Sequence, residues 1–324
     1  MSNPLVSIIT AVYNGENTIE KSIKSIVNQT YSNIEYIIVD GNSSDKTLEV
    51  VQKYSNDIDI IISEKDSGIG DAWNKGILKS NGEIIGLLNA DDMYDKNTIK
   101  IVVDMYMKNN SKKNAIFYGT CNFIENNKIS NINKKDFNPR NLLKGFGFVH
   151  TTCFAPSEIY KTVGLFNINI KIAVDTDFLI RCYVKNIDFI RTELTVYMAM
   201  GGVSDKKFIR AYFEYLDILK QYKIYNNTTI NLQKIIFIIY SPFRYIIKSE
   251  FIKNILRQIK HLAVSLNNLL YSFIPTFYLK NLYLKFIGIN IGDHSYIHPN
   301  VTFYRNNNLK IGQNTVINKG SIID

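Results

Sequence analysis

Cysteine is scarce: the 324 residues contain three, Cys121, Cys153 and Cys182. The number is odd and no C-x-x-C pair occurs. This argues against a disulfide framework and a cysteine-based zinc site, and it fits a reducing compartment. Long apolar runs are missing too. The longest, Ile235 to Tyr240, falls far short of the roughly 20 residues that a spanning helix needs. The opening stretch MSNPLVSIITAVYNG lacks a basic segment followed by a long apolar one, so it reads as a strand and not as a signal peptide. With 46% hydrophobic residues, the chain has enough apolar surface for a packed core, and overall disorder is excluded.

The net charge is +9, and it is local. From Asp205 to Lys285 there are 13 Lys/Arg against 4 Asp/Glu, so the remainder is neutral. Such a segment points to an anionic partner. Between Asn231 and Lys260, apolar Leu232, Ile236, Ile239, Phe243 and Ile246 form a stripe, with basic residues elsewhere. One or two amphipathic helices, broken near Pro242, are expected over Asn231–Leu270. They suit an anionic membrane surface; packing on the rest of the chain or on a partner subunit is the alternative. No nucleic-acid-binding fold is apparent.

The first hundred residues alternate buried strands with amphipathic helices. Strands are expected at Leu5–Val12, Ile34–Val39, Ile58–Ile62 and Glu83–Leu88, and helices at Glu16–Gln29, Asp45–Tyr54, Gly70–Ser80 and Lys96–Lys108. This order predicts an α/β fold with a parallel sheet covered on both faces. Ligands bind such sheets beyond the carboxyl ends of the strands, where polar clusters follow each strand. Further on, Ala115–Ile124 and Asp188–Met198 read as strands, and Pro156–Val163, Asp175–Lys185 and Lys206–Lys223 as helices. The last stretch changes character. Ile291, Ile297, Phe303 and Leu309, then Ile311, Ile317 and Ile323, recur every six residues, the period of a left-handed parallel β-helix of about two coils.

Asn89-Ala90-Asp91-Asp92 leaves the fourth strand. Adjacent carboxylates there repel and lose hydration unless a cation lies between them. Mg²⁺ or Mn²⁺ suits the position; the bland alternative is a helix cap. Asp40, after the second strand, can accept from a nucleobase or ribose, or can close an Asx-turn. Glycines in Asp66-Ser67-Gly68-Ile69-Gly70-Asp71 precede a helix, which suits approach to a phosphate or sugar or a plain turn. Asp175 and Asp177 open a helix, as caps or as a general base.

Together these residues resemble the inverting family 2 glycosyltransferases of the GT-A fold, most closely those that build bacterial surface polysaccharides such as O-antigen and capsule. The resemblance covers about residues 4–204. Its motifs are Ser7–Asn14, Ile38–Asp45, Asp66–Asp71, Asn74-Lys75-Gly76, Leu88–Asp92, Ala173–Asp177 and Gly201–Ser204. It implies a nucleoside pocket at Thr10, Val12 and Asp40 with Glu16 in its wall. Asp66 and Asn74 would lie near ribose and donor sugar. Asp91 would be the metal carboxylate, flanked by Asp92, with Asn89 where the motif's first acid stands. Asp175 would be the catalytic base, with Asp177 as its neighbour and His150 lining the acceptor side.

The expected organisation is a glycosyltransferase domain over residues 1–204, a basic amphipathic segment over 205–285, and an incomplete hexapeptide-repeat β-helix over 286–324. The expected activity is metal-dependent transfer of a sugar from a nucleotide-sugar, UDP by default, to a hydroxyl of a lipid-linked saccharide. It would take place in the cytoplasm on the inner face of a bacterial membrane. The rival readings are a fragment of a bifunctional glycosyltransferase/acyltransferase, with the tail as an acyltransferase or as a trimer-forming module that would make a homo-oligomer, and a catalytically inactive nucleotide-sugar binder. His294 and His298 read as solvent-facing loop residues in that tail.

Overall fold

The computed structural model describes residues 3–202, 207–248, 289–292, 295–298, 301–303, 310–318 and 321–323. The chain divides into two compact units, Met1–Ile236 and Phe237–Asp324.

The first unit is built on a nine-stranded mixed sheet. Strands β1 (Val6–Val12), β2 (Ile34–Asp40), β3 (Ile60–Ser63) and β4 (Ile84–Asn89) run parallel, in the spatial order β3-β2-β1-β4. The expected all-parallel sheet covers only this half. Beyond β4 the order continues through β8 (Phe154–Pro156), β6 (Ala115–Glu125), β9 (Asp188–Ala199) and β5 (Met93–Tyr94). Here β8 is antiparallel to β4 and β5 to β9, and β7 (Lys128–Asn133) adds a hairpin on β6. Three-residue β8 and two-residue β5 are too short to leave a periodic signal.

Side chains alternate across β1 into two cores. Val6, Ile8 and Val12 pack with helices α1 (Ile19–Val27), α2 (Thr47–Gln52) and α4 (Thr98–Lys108). Ile9 and Ala11 face the opposite layer. That layer holds α3 (Ile69–Lys79), α5 (Ser157–Val163), α6 (Val174–Val184) and α7 (Phe208–Gln221). Strands buried on both sides need near-continuous apolar sequence, as β1 and β2 have. Helix α7 buries Tyr215, Leu216, Ile218 and Leu219 in this second core, and each such side chain stabilises the fold by about 1.5–3 kcal/mol.

Helix α8 (Asn227–Lys248) runs through Pro242 without a break, contrary to the interruption expected there. The rest of the amphipathic segment, residues 249–288, lies outside the described residues, as do Val203–Lys206 and His294. In the second unit, two-residue strands pair in parallel: Asn290-Ile291 with Lys310-Ile311, Tyr296-Ile297 with Val316-Ile317, and Thr302-Phe303 with Ile322-Ile323. His298 is half-buried, and its N–H donates to Ile317 O. No helix among the described residues is long and apolar enough to cross a membrane.

Candidate active site

The carboxyl ends of β1 and β2 are joined by their following loops. Asn14 takes a left-handed conformation (φ 50°). Its Oδ1 accepts from Ser44 N at 2.9 Å, and its N–H donates to Ser43 Oγ at 2.8 Å. Glu16 Oε2 accepts from Lys46 N at 2.9 Å. Glu16 therefore braces the loops of the expected pocket wall. Tyr13 stands exposed at this edge, and Val12 is buried.

Two side chains expected to face a nucleoside are turned inward. Thr10 is fully buried, and its hydroxyl pairs with Tyr36 Oη at 3.2 Å. Strand alternation puts it on the α1 side, not at the open edge. Asp40 is also fully buried; it accepts from Ser43 N and from Ser63 Oγ, the latter at 2.7 Å. The Asx-type loop closure is thus the observed role of its side chain. Asp66 is half-buried and remains at the edge. A Cβ at Gly41 would come within 2.5 Å of Asp66 Oδ2, so glycine there lets the carboxylate lie against the β2 exit. Asn74 is 9% exposed, and its side chain is engaged within the protein. Its amide exchanges two 2.9 Å hydrogen bonds with the backbone of Phe166, and it pins a distant loop.

The β4 exit separates its two acids. Asp91 is exposed and, among the described residues, its carboxylate accepts no hydrogen bond from another residue. Crowding by surrounding protein nonetheless raises its pKa. Asp92 is 1% exposed. Its Oδ2 accepts from Asn89 Nδ2 at 2.9 Å and Thr151 Oγ1 at 3.3 Å, and its Oδ1 accepts from Ala199 N at 3.0 Å. Burial, reinforced by the charge of Asp91, pushes its pKa up to about 7 against the pull of those donors. The expectation of two carboxylates sharing one cation is corrected: Asp92 anchors the turn to β9, and Asn89 serves Asp92.

The same division recurs at the start of α6. Asp177 is fully buried, ion-paired to Arg181 Nε at 2.9 Å, and accepts from Tyr222 Oη at 3.1 Å. Its side chain is structural and not offered to a substrate. Asp175 is half-buried. Its Oδ1 accepts from Thr176 N at 2.7 Å, while Oδ2 makes no hydrogen bond among the described residues. His150 lies close enough for Asp175 to raise its pKa, although burial wins and holds the imidazole below its ordinary value. A Cβ at Gly70 would meet Val174 Cγ2 at 2.7 Å, so the N-terminus of α3 approaches that of α6. Asp66, Asp91, His150 and Asp175 are predicted site residues left accessible, as are Glu16 and Asn89, whose side chains are engaged with Lys46 N and Asp92.

Three contributors have no sequence signature. Thr151 ties Asp92 to the short 3₁₀ turn that carries His150. Glu214 on α7 accepts from Ile172 N and Ala173 N, at 2.9 and 3.2 Å, ahead of α6. Trp73 packs its ring against His150 and Phe166, with centroids 5.1 and 5.0 Å away.

Among the described residues no cluster of three or more His, Cys, Asp or Glu could hold a metal ion. A divalent ion caged by protein alone does not fit. The single open carboxylate of Asp91 fits one held mainly by the oxygens of a bound diphosphate and water.

A parallel half-sheet, a mixed extension in which β6 and β9 also pair in parallel, and the open acids Asp91 and Asp175 make up a Rossmann-like α/β domain of the GT-A kind. Residues 7–163 match the family described as Glycosyl transferase family 2. The chain is 33% identical over 185 residues to an uncharacterized glycosyltransferase of Rickettsia typhi, covering 54% of this chain and 57% of that one. It is 36% identical over 130 residues to an Escherichia coli UDP-Glc:alpha-D-GlcNAc-diphosphoundecaprenol beta-1,3-glucosyltransferase, covering 40% and 50%. The chain thus spans little more than half the length of these relatives. The fold is shared with a mannosyltransferase from Pyrobaculum calidifontis in complex with GDP-Man and Mn²⁺, at 16% identity and a TM-score of 0.54, covering 81% of each chain.

Proposed function

We propose that the chain transfers a sugar, with inversion, from a UDP-sugar to a hydroxyl of a lipid-linked saccharide during surface polysaccharide assembly. One observation carries this reading. In each of two acidic pairs, one carboxylate is buried and fully bonded, and the other, Asp91 or Asp175, is left open. Leaving one acid uncommitted beside a satisfied one suits chemistry better than stability.

Asp175 takes the proton of the acceptor hydroxyl. That oxygen bonds to the anomeric carbon from the face opposite the diphosphate, as the bond from that carbon to the leaving phosphate oxygen breaks. Asp91 holds Mg²⁺ or Mn²⁺, which when bound supplies positive charge for the departing diphosphate. Asp66 and His150 line the sugar side. The E. coli relative, by its name, uses UDP-Glc and a diphosphoundecaprenol-linked acceptor, which supports a uridine donor and a lipid acceptor. The local charge of +9 and exposed Leu232, Ile235 and Ile238 on α8 support work at the cytoplasmic face of a membrane. The parallel pairing of the tail strands supports a hexapeptide β-helix, as an oligomerising or acyltransferase-derived module.

The test is release of UDP and formation of glycosylated lipid from a UDP-sugar panel with a polyprenyl-diphosphate saccharide, with and without Mn²⁺. Transfer that survives Asp91→Asn together with chelation would sink the metal assignment.

A further inference from the structure

The indole nitrogen of Trp73 is buried without a hydrogen-bond partner. The residue is 5% exposed, so its N–H is shielded from water as well. A buried donor left unmade costs about 1–3 kcal/mol, and such groups in native proteins call for an explanation. Phenylalanine or leucine would fill the same core position without that cost.

The surroundings supply one. Trp73 lies in the first turns of α3, which opens at the carboxyl edge of the sheet. Its ring meets His150 at 5.1 Å with a 39° tilt, and Phe166 at 5.0 Å. His150 is the neighbour of Asp175, and the next residue, Thr151, bonds Asp92. Asn74, adjacent to Trp73, clamps Phe166 from both sides of its amide. The three rings are therefore packed against one another, with His150 linking them to the neighbourhood of Asp175 and, through Thr151, to the turn that carries Asp91 and Asp92. Fixed aromatic faces with one polar handle match a pyranose, which offers C–H faces and a hydroxyl rim.

We infer that Trp73 is a sugar-binding residue whose indole N–H donates to a hydroxyl oxygen of a bound saccharide, with His150 and Phe166 as flanking walls. This rests on the transfer reading above. The donor sugar and the acceptor sugar present the same chemistry, and the experiment separates them.

Trp73 is the single tryptophan of the chain, so the intact protein reports on it directly. Emission is followed while UDP, UDP-glucose, UDP-N-acetylglucosamine and free oligosaccharides are added separately with Mg²⁺. A shift to longer wavelength with UDP-sugars but not with UDP assigns the bond to the donor. A shift with oligosaccharides alone assigns it to the acceptor. If no sugar, free or nucleotide-linked, moves the emission, the inference fails. Calorimetry of UDP binding tests the nucleotide reading independently. Trp73→Phe should lower kcat/KM by up to about tenfold, the worth of one net hydrogen bond. On the deoxy-sugar lacking the contacted hydroxyl, wild type and variant should converge. An unchanged preference between sugar and deoxy-sugar would leave Trp73 a core residue only.

Discussion

Thr151 donates its hydroxyl to Asp92 across 59 residues of sequence, at 3.3 Å. The bond joins the turn bearing Asp91 to the turn bearing His150, and so the proposed metal side to the proposed base side. Thr151→Val keeps the shape and removes the donor. The buried carboxylate then loses a partner, and unfolding in urea should show a loss of about 1–3 kcal/mol. Turnover should fall too, and Thr151→Ser should restore both. A valine variant with unchanged stability and turnover would mean that Asn89 and Ala199 suffice.

The two acids of α6 should separate cleanly. Asp175→Asn is expected to cut kcat by about 10²–10⁴-fold with the melting temperature unchanged. Asp177→Asn leaves the Arg181 guanidinium without its anion and should cost about 3–5 kcal/mol of stability. Calorimetric melting beside initial rates decides the matter, and a reversed pattern would exchange the roles.

Gly41→Ala tests Asp66. The new methyl meets Oδ2 at 2.5 Å, and the half-buried carboxylate has room to swing outward. Stability should change little, and kcat/KM for the donor should fall about 10–100-fold through misplacement. Normal kinetics would show that Asp66 does not touch the donor.

Acid stability should depend on Glu35, at the opposite end of β2. Burial works to raise its pKa, but donors Ser7 Oγ and Asn81, through both N and Nδ2, outweigh that and hold it low. A depressed folded-state pKa stabilises above the ordinary carboxylate range, near about 4.3. That stability is lost as pH falls through the folded value. Glu35→Gln should therefore be less stable at neutral pH, and its stability curve should be flatter below about pH 4. Parallel curves for wild type and variant would exclude Glu35 as the titrating group.

Much of the parallel half was legible in the sequence, because doubly covered strands carry long apolar runs and their helices an apolar stripe. Strand ends from β1 to β4 fall within two residues of the expected ones. Strands β5, β7 and β8 were not legible, since their pairing is set by distant partners. The site was legible as a set of acids but not as a set of roles. Adjacent Asp91 and Asp92 look alike until one is seen to turn inward toward Thr151 and Ala199. The pair Asp175 and Asp177 held a usable clue: Arg181 follows Asp177 by one helical turn, and no cation follows Asp175 at that spacing. Asn74 and Thr10 look equally functional in one dimension, and only their tertiary partners reveal them as scaffolding.

The anchoring of α6 by Glu214 sets a lower limit on how much chain the chemistry needs. The family match ends at residue 163, yet Asp175, the proposed base, lies beyond it, and the carboxylate that holds its helix start comes from further on still, at 214. Any shortened version cut before α7 would discard that tether and uncover the apolar underside of the second core. Grafting or swapping this domain between proteins should carry everything through Tyr222, whose hydroxyl closes the Asp177–Arg181 pair.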